Sequence, residues 1–252
     1  MQGAKKSFGQ HFLKDESLVA KIVAAAEIGN SDTVVEVGPG RGALTVQLPQ
    51  DGLVLVEADK DLIDDLHERF PKANVVLADA TQVDFKEHVG DGPWTLIGNL
   101  PYNAANAIIM NALNTTVRPT RVVVMVQKEV GDRMMAKPGT DMSVLSVAIQ
   151  LYGTPTRVMN VKPGSFQPPP NVMSSVIRID VDPRVEDPER VIALASAGFG
   201  SRRKQLHKNI NAAKIASSKD VKEALSKLNL REDIRAQDMS VDDWVELSNF
   251  VL

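Results

Sequence analysis

The chain reads as an α/β protein: a mostly parallel sheet of seven strands with one antiparallel member, followed by a small all-helical C-terminal domain. Three observations predict this. β-Branched apolar runs alternate with helical patterns from Thr33 to Leu151, which implies a parallel sheet covered on both faces. The last two apolar runs are joined by a proline-rich loop with no room for a helix, so they must pair antiparallel. Beyond Val181 only helical periodicity remains. At 252 residues, 43% hydrophobic and 24% charged, the chain can bury one good core and a smaller second one.

Taken in order, Asp15 can cap a helix through Leu18, Ile22 and Val23 that ends at Gly29. Thr33–Val37 is the first strand and runs straight into glycines. Strands are expected next at 53–57, 74–78, 94–97 and 121–127, then at 157–161 and 174–181. Helical patterns occupy 43–48, 61–70 and 104–113, and 128–135 continues after Pro138-Gly139 into 144–151. The C-terminal helices are expected at 188–197, 202–215, 219–228 and 241–250, the last with Ser240 as cap and Asp243 at its third position. Residues 1–182 thus form the α/β domain and 183–252 the helical one. Trp94 and Trp244 read as core residues.

Composition excludes several classes of function. No cysteine is present, so disulfides and thiolate metal sites are ruled out. The four histidines show no helical i, i+4 pairing, and no metal is expected. No apolar run approaches the ~18 residues of a membrane span, and the first dozen residues lack a signal-peptide core, so cytoplasmic residence is expected. Net charge is −3, yet its distribution is uneven. Between Glu189 and Asp220 lie Arg190, Arg202, Arg203, Lys204, Lys208, Lys214 and Lys219 with no acid, and Lys5, Lys6 and Lys14 precede the first acid, Asp15. A solvated helix face is one reading; a phosphate-binding surface is the better one, because Arg202-Arg203-Lys204 at a helix start opposes the helix dipole.

Three features at consecutive strand ends point to a nucleoside. In Glu36-Val37-Gly38-Pro39-Gly40-Arg41-Gly42 a strand opens through glycines, which let backbone approach a ligand closely. Ala43 stands where a dinucleotide fingerprint has its third glycine, so a nucleoside without pyrophosphate, such as S-adenosylmethionine, fits better than a nicotinamide dinucleotide. Glu57 ends the second strand about 20 residues after Gly38, the usual place of a ribose-binding carboxylate. Asp79 ends the third and can accept from an adenine amine, while Asp59 more plausibly caps the next helix.

Gly98-Asn99-Leu100-Pro101-Tyr102 follows the fourth strand. It offers an amide, a carbonyl and an aromatic ring but no nucleophile or metal ligand, which suits gripping a planar base and polarising its amine. Tyr102 and Phe166 can stack on such a base, or they can be core aromatics.

Asn99-Leu100-Pro101-Tyr102 resembles the N-L-P-Y signature of adenine amino methyltransferases. Ser7-Phe8-Gly9-Gln10-His11-Phe12-Leu13 is similar to the N-terminal arm of the ribosomal RNA adenine dimethyltransferases. Phe166-Gln167-Pro168-Pro169-Pro170-Asn171-Val172-Met173-Ser174 resembles that family's F-x-P-x-P-x-V-x-S loop, and Phe199-Gly200-Ser201-Arg202-Arg203-Lys204 its F-x-x-R-R-K segment. These blocks occur in family order across the chain, and the small-subunit (16S) branch fits best. Met173 replaces a frequent Asp, and Ala104-Ala105 replace small polar residues.

The resemblance implies a Rossmann-like class I methyltransferase fold and dimethylation of the N6 amines of two adjacent adenines in the 3'-terminal hairpin of 16S rRNA. It places S-adenosylmethionine on His11, Leu13, Gly38, Gly40, Glu57, Asp79 and Asn99. It places the target adenine on Asn99, Leu100, Pro101, Tyr102 and Phe166, and RNA on Lys5, Lys6, Arg202, Arg203, Lys204 and Lys208. A monomer acting on the immature small subunit is expected. The alternatives are a 23S rRNA dimethyltransferase of macrolide-resistance type, a mainly non-catalytic assembly factor and, as an outsider, a nicotinamide oxidoreductase.

Overall fold

The computed structural model describes residues 11–29 and 32–252; Lys5, Lys6 and the arm residues Ser7 to Gln10 lie outside the described residues. The elements in order are β1 (Phe12–Leu13), α1 (Glu16–Ala26), β2 (Thr33–Val37), β3 (Leu53–Glu57), α2 (Ile63–Arg69), β4 (Asn74–Leu77), α3 (Lys86–Val89), β5 (Trp94–Asn99), α4 (Ala105–Leu113), β6 (Arg121–Gln127) and α5 (Lys128–Met134). They continue with α6 (Val144–Tyr152), β7 (Gly153–Val161), β8 (Phe166–Gln167), β9 (Ser174–Val181), α7 (Pro188–Gly198), α8 (Leu206–Ala212), α9 (Ser218–Lys227) and α10 (Val241–Val251).

Seven strands form one sheet in the order β4-β3-β2-β5-β6-β9-β7, as expected. β2 pairs in parallel with β3 and β5, β3 with β4, and β5 with β6. Only β9 opposes this direction where it meets β6. On its other side Thr156 bonds Arg178 and Asn160 bonds Ser175, an order that antiparallel neighbours require. The strand order reverses between β2 and β5, and ligands bind outside the carboxyl ends of strands at such a switch point.

The chain divides into two compact units, one running up to Gly131 with Pro155–Val181 and the other Asp132–Thr154 with Asp182–Leu252. Ile22, Val34, Leu55, Ile97, Val123 and Phe166 belong to the core of the first. In the second, Val147 and Leu151 of α6 share a core with Leu194, Leu206, Leu225 and Trp244, so α6 is covered by helices that come much later in the sequence. Ser143 and Ser146 form a capping box at the start of α6, and Ser240 and Asp243 do the same for α10.

Several boundaries differ from expectation for identifiable reasons. α1 stops at Ala26 rather than at Gly29, because Glu27 itself takes the left-handed conformation (φ 44°) and bonds its N–H to Ala24. Its carboxylate is held there by Arg178 (Nη2–Oε2 3.1 Å) and Arg121 (3.2 Å), and both arginines also bind Asp180. Residues 43–48 form turns and a 3-10 turn (Thr45–Gln47) instead of an α-helix; the Thr45 hydroxyl is tied to buried Glu36, and Pro49 forbids continuation. The helix expected at 202–215 is confined to α8, and Arg202, Arg203 and Lys204 lie in the turn before it. That turn is pinned by buried Asn209, whose amide donates to the carbonyls of Gly198 and Ser201. β7 begins four residues earlier than expected and carries Pro155, which an edge strand tolerates. The two-residue pair β1–β8 and the short α3 are too brief to show a periodicity and went unexpected.

β5 extends two residues beyond Ile97, through Gly98 and Asn99. A Cβ on Gly98 would stand 2.5 Å from the Val37 carbonyl oxygen, an atom of the neighbouring strand that cannot step aside. Gly98→Ala should therefore lower unfolding free energy by ~1–3 kcal/mol. Gly92→Ala, where a Cβ meets nothing within 4 Å, should be near neutral in the same urea titration. Equal midpoints for the two variants would show that β2 and β5 can separate.

Candidate active site

A cavity of about 580 Å³ opens at the carboxyl ends of β2, β3, β4 and β5. Its floor is the glycine turn after β2, where Gly38 (φ 68°) and Gly40 (φ 57°) adopt dihedrals that disfavour any side chain. Gly40 has a second reason to be glycine. A Cβ there would lie 3.0 Å from Cε1 of Phe12, whose ring is also covered by the Arg41 guanidinium at 4.7 Å. Phe12 and Arg41 both line the cavity, and sequence reasoning gave neither a role.

Glu57 ends β3 with only 6% of its surface exposed. Its Oε2 accepts the Gly40 N–H at 3.0 Å and its Oε1 the Asp59 N–H at 2.9 Å, which fixes the carboxylate and leaves further lone pairs toward the cavity. Burial pushes its pKa up, and the backbone donors oppose the rise. Asp79 is exposed at the far wall; its Oδ1 accepts from the Thr81 N–H and hydroxyl at 2.9 and 2.8 Å, orienting the carboxylate beside Leu77. Asp59 caps the 3-10 turn before α2 as expected, accepting from the Asp61 N–H.

Glu36 is the acid that sequence reasoning passed over. It lines the cavity at 1% exposure, with the Thr45 hydroxyl donating to its Oε2 at 2.6 Å. Burial above all pushes its pKa up to about 8; the Thr45 bond opposes this and the Glu57 charge adds to it. At neutral pH Glu36 is therefore largely protonated. The available signal was an acid set within the apolar run of Thr33–Val37.

The N-terminal arm and the proline loop meet over this cavity. β1 pairs antiparallel with β8, matching Phe12 to Gln167 and Leu13 to Phe166, and the Lys14 N–H bonds Ser165 at 3.0 Å. Leu13 is 7% exposed and lines the cavity beside His11. Asn99 donates its Nδ2 to the His11 carbonyl at 2.7 Å, so its Oδ1 is left as an acceptor. Leu100, Pro101 and Tyr102 follow on the same wall, and the Leu100 N–H is anchored to Met125.

The Tyr102 hydroxyl bonds the buried Ser174 hydroxyl at 2.7 Å, and burial pushes the phenol's pKa up. The His11 ring stacks on Tyr102 with centroids 5.6 Å apart. Phe166 is 1% exposed, belongs to the core and is absent from the cavity lining, meeting the His11 ring edge-on at 6.5 Å. The structure thus brings together His11, Leu13, Gly38, Gly40, Glu57, Asp79, Asn99, Leu100, Pro101 and Tyr102, and puts Phe166 behind them.

Arg202, Arg203, Lys204 and Lys208 are all exposed on the second unit. Arg202 lies 3.8 Å from exposed Asp141, a separation worth little, and the other three pair with no carboxylate among the described residues. Among the described residues there is no group of three acids or histidines placed to hold a metal, and no helix is long and apolar enough to cross a membrane.

A family model described as ribosomal RNA adenine dimethylase matches residues 1–252. The chain is 38% identical over 263 residues to the ribosomal RNA small subunit methyltransferase A of Synechococcus elongatus, spanning 97% of this chain and 94% of that one. It is 40% identical over 258 residues to the protein of the same name from Dehalococcoides mccartyi, spanning 97% and 87%. A solved dimethyladenosine transferase from Plasmodium falciparum shares the fold, with a TM-score of 0.78 at 24% identity over 94% of this chain and 96% of that one.

The protonated state of Glu36 has a consequence for stability. A carboxyl whose pKa is raised on folding stabilises the native state below its unfolded value, near 4.5, and that contribution is lost as pH rises through about 8. Wild-type thermal midpoints should thus decline from about pH 5 to about pH 9, and those of Glu36→Gln should decline less. Parallel midpoint curves would mean that Glu36 is already ionised in the folded protein.

Proposed function

The chain belongs to the ribosomal RNA adenine dimethylase family, and from this we propose that it dimethylates the N6 amines of two adjacent adenines in the 3'-terminal hairpin of 16S rRNA. It is a methyltransferase that uses S-adenosylmethionine, and the cavity fits that molecule. Glu57 suits ribose hydroxyls, Asp79 and Leu77 suit the adenine edge and face, and the Gly38–Gly40 turn admits the methionine portion without side-chain obstruction. Acids in the lining, Glu57 and Asp79, favour a cationic ligand over a pyrophosphate, and largely protonated Glu36 adds no charge to this. Bound there, S-adenosylmethionine supplies an electrophilic methyl group on a sulfonium.

One observation carries the assignment of roles: the Asn99 amide nitrogen is spent on the His11 carbonyl. Its oxygen is thereby committed as an acceptor for an amine N–H. An adenine amine is a poor nucleophile because its lone pair is delocalised into the ring. Accepting both of its hydrogens, by Asn99 Oδ1 and the Leu100 carbonyl, favours the pyramidal nitrogen that can attack. Pro101 stiffens the turn, and Tyr102 offers a stacking face held by Ser174. No general base is required, since the alkylated amine loses its proton to water; alignment of the two reactants does the rest.

We assign this chemistry to residues 1–182 and RNA-backbone binding to the helical part, 183–252, with Arg202, Arg203, Lys204 and Lys208 on phosphates and Lys5 and Lys6 assisting from the arm. The partner is the immature small subunit in the cytoplasm, and the protein acts on it as a monomer.

The test is transfer of labelled methyl groups to undermethylated small subunits, large subunits and naked 16S and 23S rRNA, with the product nucleoside located by mass spectrometry. Dimethyladenine in the 16S 3' hairpin is expected. Label in 23S rRNA, or tight subunit binding with no label at all, would overturn the assignment. Asn99→Ala should lower kcat by about 100-fold or more, with S-adenosylmethionine affinity changed far less. Equal losses in both would return Asn99 to cofactor binding alone. Replacing Arg202, Arg203 and Lys204 together by serine should reduce the slope of log affinity against log salt by roughly 2 to 3 on RNA, one phosphate contact at a time. An unchanged slope would leave the cluster a solvated surface.

A further inference from the structure

Two rings suited to holding a flipped base, Tyr102 and Phe166, do not face each other across an open slot. The imidazole of His11 stands against both, stacked on Tyr102 at 5.6 Å with planes 27° apart and edge-on to Phe166 at 6.5 Å and 75°. His11 lines the cavity and Phe166 does not. A base therefore cannot lie on the face of Tyr102 that His11 covers while the imidazole remains there.

The surroundings show which part of His11 can move. Its main chain is fixed, because its carbonyl accepts from Asn99 and the next two residues pair with Gln167 and Phe166. The ring is held by stacking and by one hydrogen bond, in which Nδ1 donates to the Pro168 carbonyl at 2.8 Å. Rotation about χ1 can release the ring without disturbing the Asn99 amide.

We propose that the His11 imidazole is a placeholder for the target base, which must displace it from Tyr102 before stacking there. This rests on the reading of Tyr102 as the stacking platform. Before exchange, the imidazole keeps Tyr102 covered and in position. After exchange, Tyr102 is covered by the incoming base, so the net gain is only the difference between two stacked rings and one lost hydrogen bond. A fused purine offers more stacking area than an imidazole and displaces it with a net gain, while the cost of releasing the imidazole weakens every incoming base by the same factor.

Proton NMR can follow this directly, because the chain has 4 histidines and 2 tyrosines and their ring signals can be assigned by variants. With S-adenosylhomocysteine saturating the cofactor cavity, adenosine 5'-monophosphate is titrated and compared with cytidine 5'-monophosphate. The His11 ring signal should begin shielded by Tyr102 and move toward the exposed value as the purine nucleotide binds, and less far at the same concentration of the more weakly stacking pyrimidine. His11→Ala keeps the carbonyl that orients Asn99; it should bind both nucleotides more tightly, by a similar factor of roughly fivefold. His11→Phe, which restores a ring, should weaken the binding of both relative to His11→Ala. If Tyr102 signals shift on purine addition while His11 signals stay shielded, the placeholder role is overturned and the platform stands. If neither set shifts, the platform itself is wrong. If His11→Ala loses S-adenosylhomocysteine affinity with nucleotide affinity unchanged, His11 belongs to the cofactor site and the proposal fails.

Discussion

Strands β2 and β5 run side by side through the middle of the sheet, and the absence of a side chain at Gly98 is what allows their carboxyl ends to stay in contact. Any Cβ at that position would collide with the Val37 carbonyl. The register Glu36 to Ile97 then places the glycine turn of one strand next to Asn99 of the other. Because the strand order reverses at this pair, no crossover helix closes the gap above it. The cavity is therefore a consequence of topology, and the chemistry is placed there by which residues happen to end the two strands.

The electrostatics of the cavity follow from burial more than from pairing. Glu36 and Glu57 are nearly inaccessible, and neither is matched to a cationic side chain among the described residues. Glu57 is steadied by two backbone N–H groups, whereas Glu36 has a single hydroxyl and stays protonated near neutral pH. Keeping Glu36 neutral avoids the cost of two like charges in a desolvated wall. That arrangement suits a cationic ligand better than a dinucleotide phosphate.

The arm and the proline loop show a different kind of dependence. Four residues, Phe12, Leu13, Phe166 and Gln167, make a two-strand ladder that would be marginal alone. It persists because Leu13 and Phe166 are buried in the core and because His11 reaches four partners at once: Asn99 through its carbonyl, and Pro168, Tyr102 and Phe166 through its ring. The Asn99 side chain is thus oriented from 88 residues away in sequence.

The strand-helix alternation, the seven-strand count and the place of the nucleoside cavity were legible in the order of residues, since β-branched runs ending in glycine or acid report burial and strand ends locally. That Gly38, Glu57, Asp79 and Asn99 stand at strand ends was legible for the same reason: each closes an apolar run. What the chain order could not carry was anything settled by contacts far apart along it. Glu36 becomes a neutral acid only because Thr45 and the sheet bury it, and residues 43–48 lose their helix to that same bond. Glu27, rather than Gly29, ends α1 because Arg121 and Arg178 arrive from other strands. Phe166 reads as a stacking ring in sequence, yet it is core in three dimensions, and His11 stands in its place against Tyr102. Periodicity reports how a residue sits on its own element; only packing between elements decides which face of a ring is left open and which proton is retained.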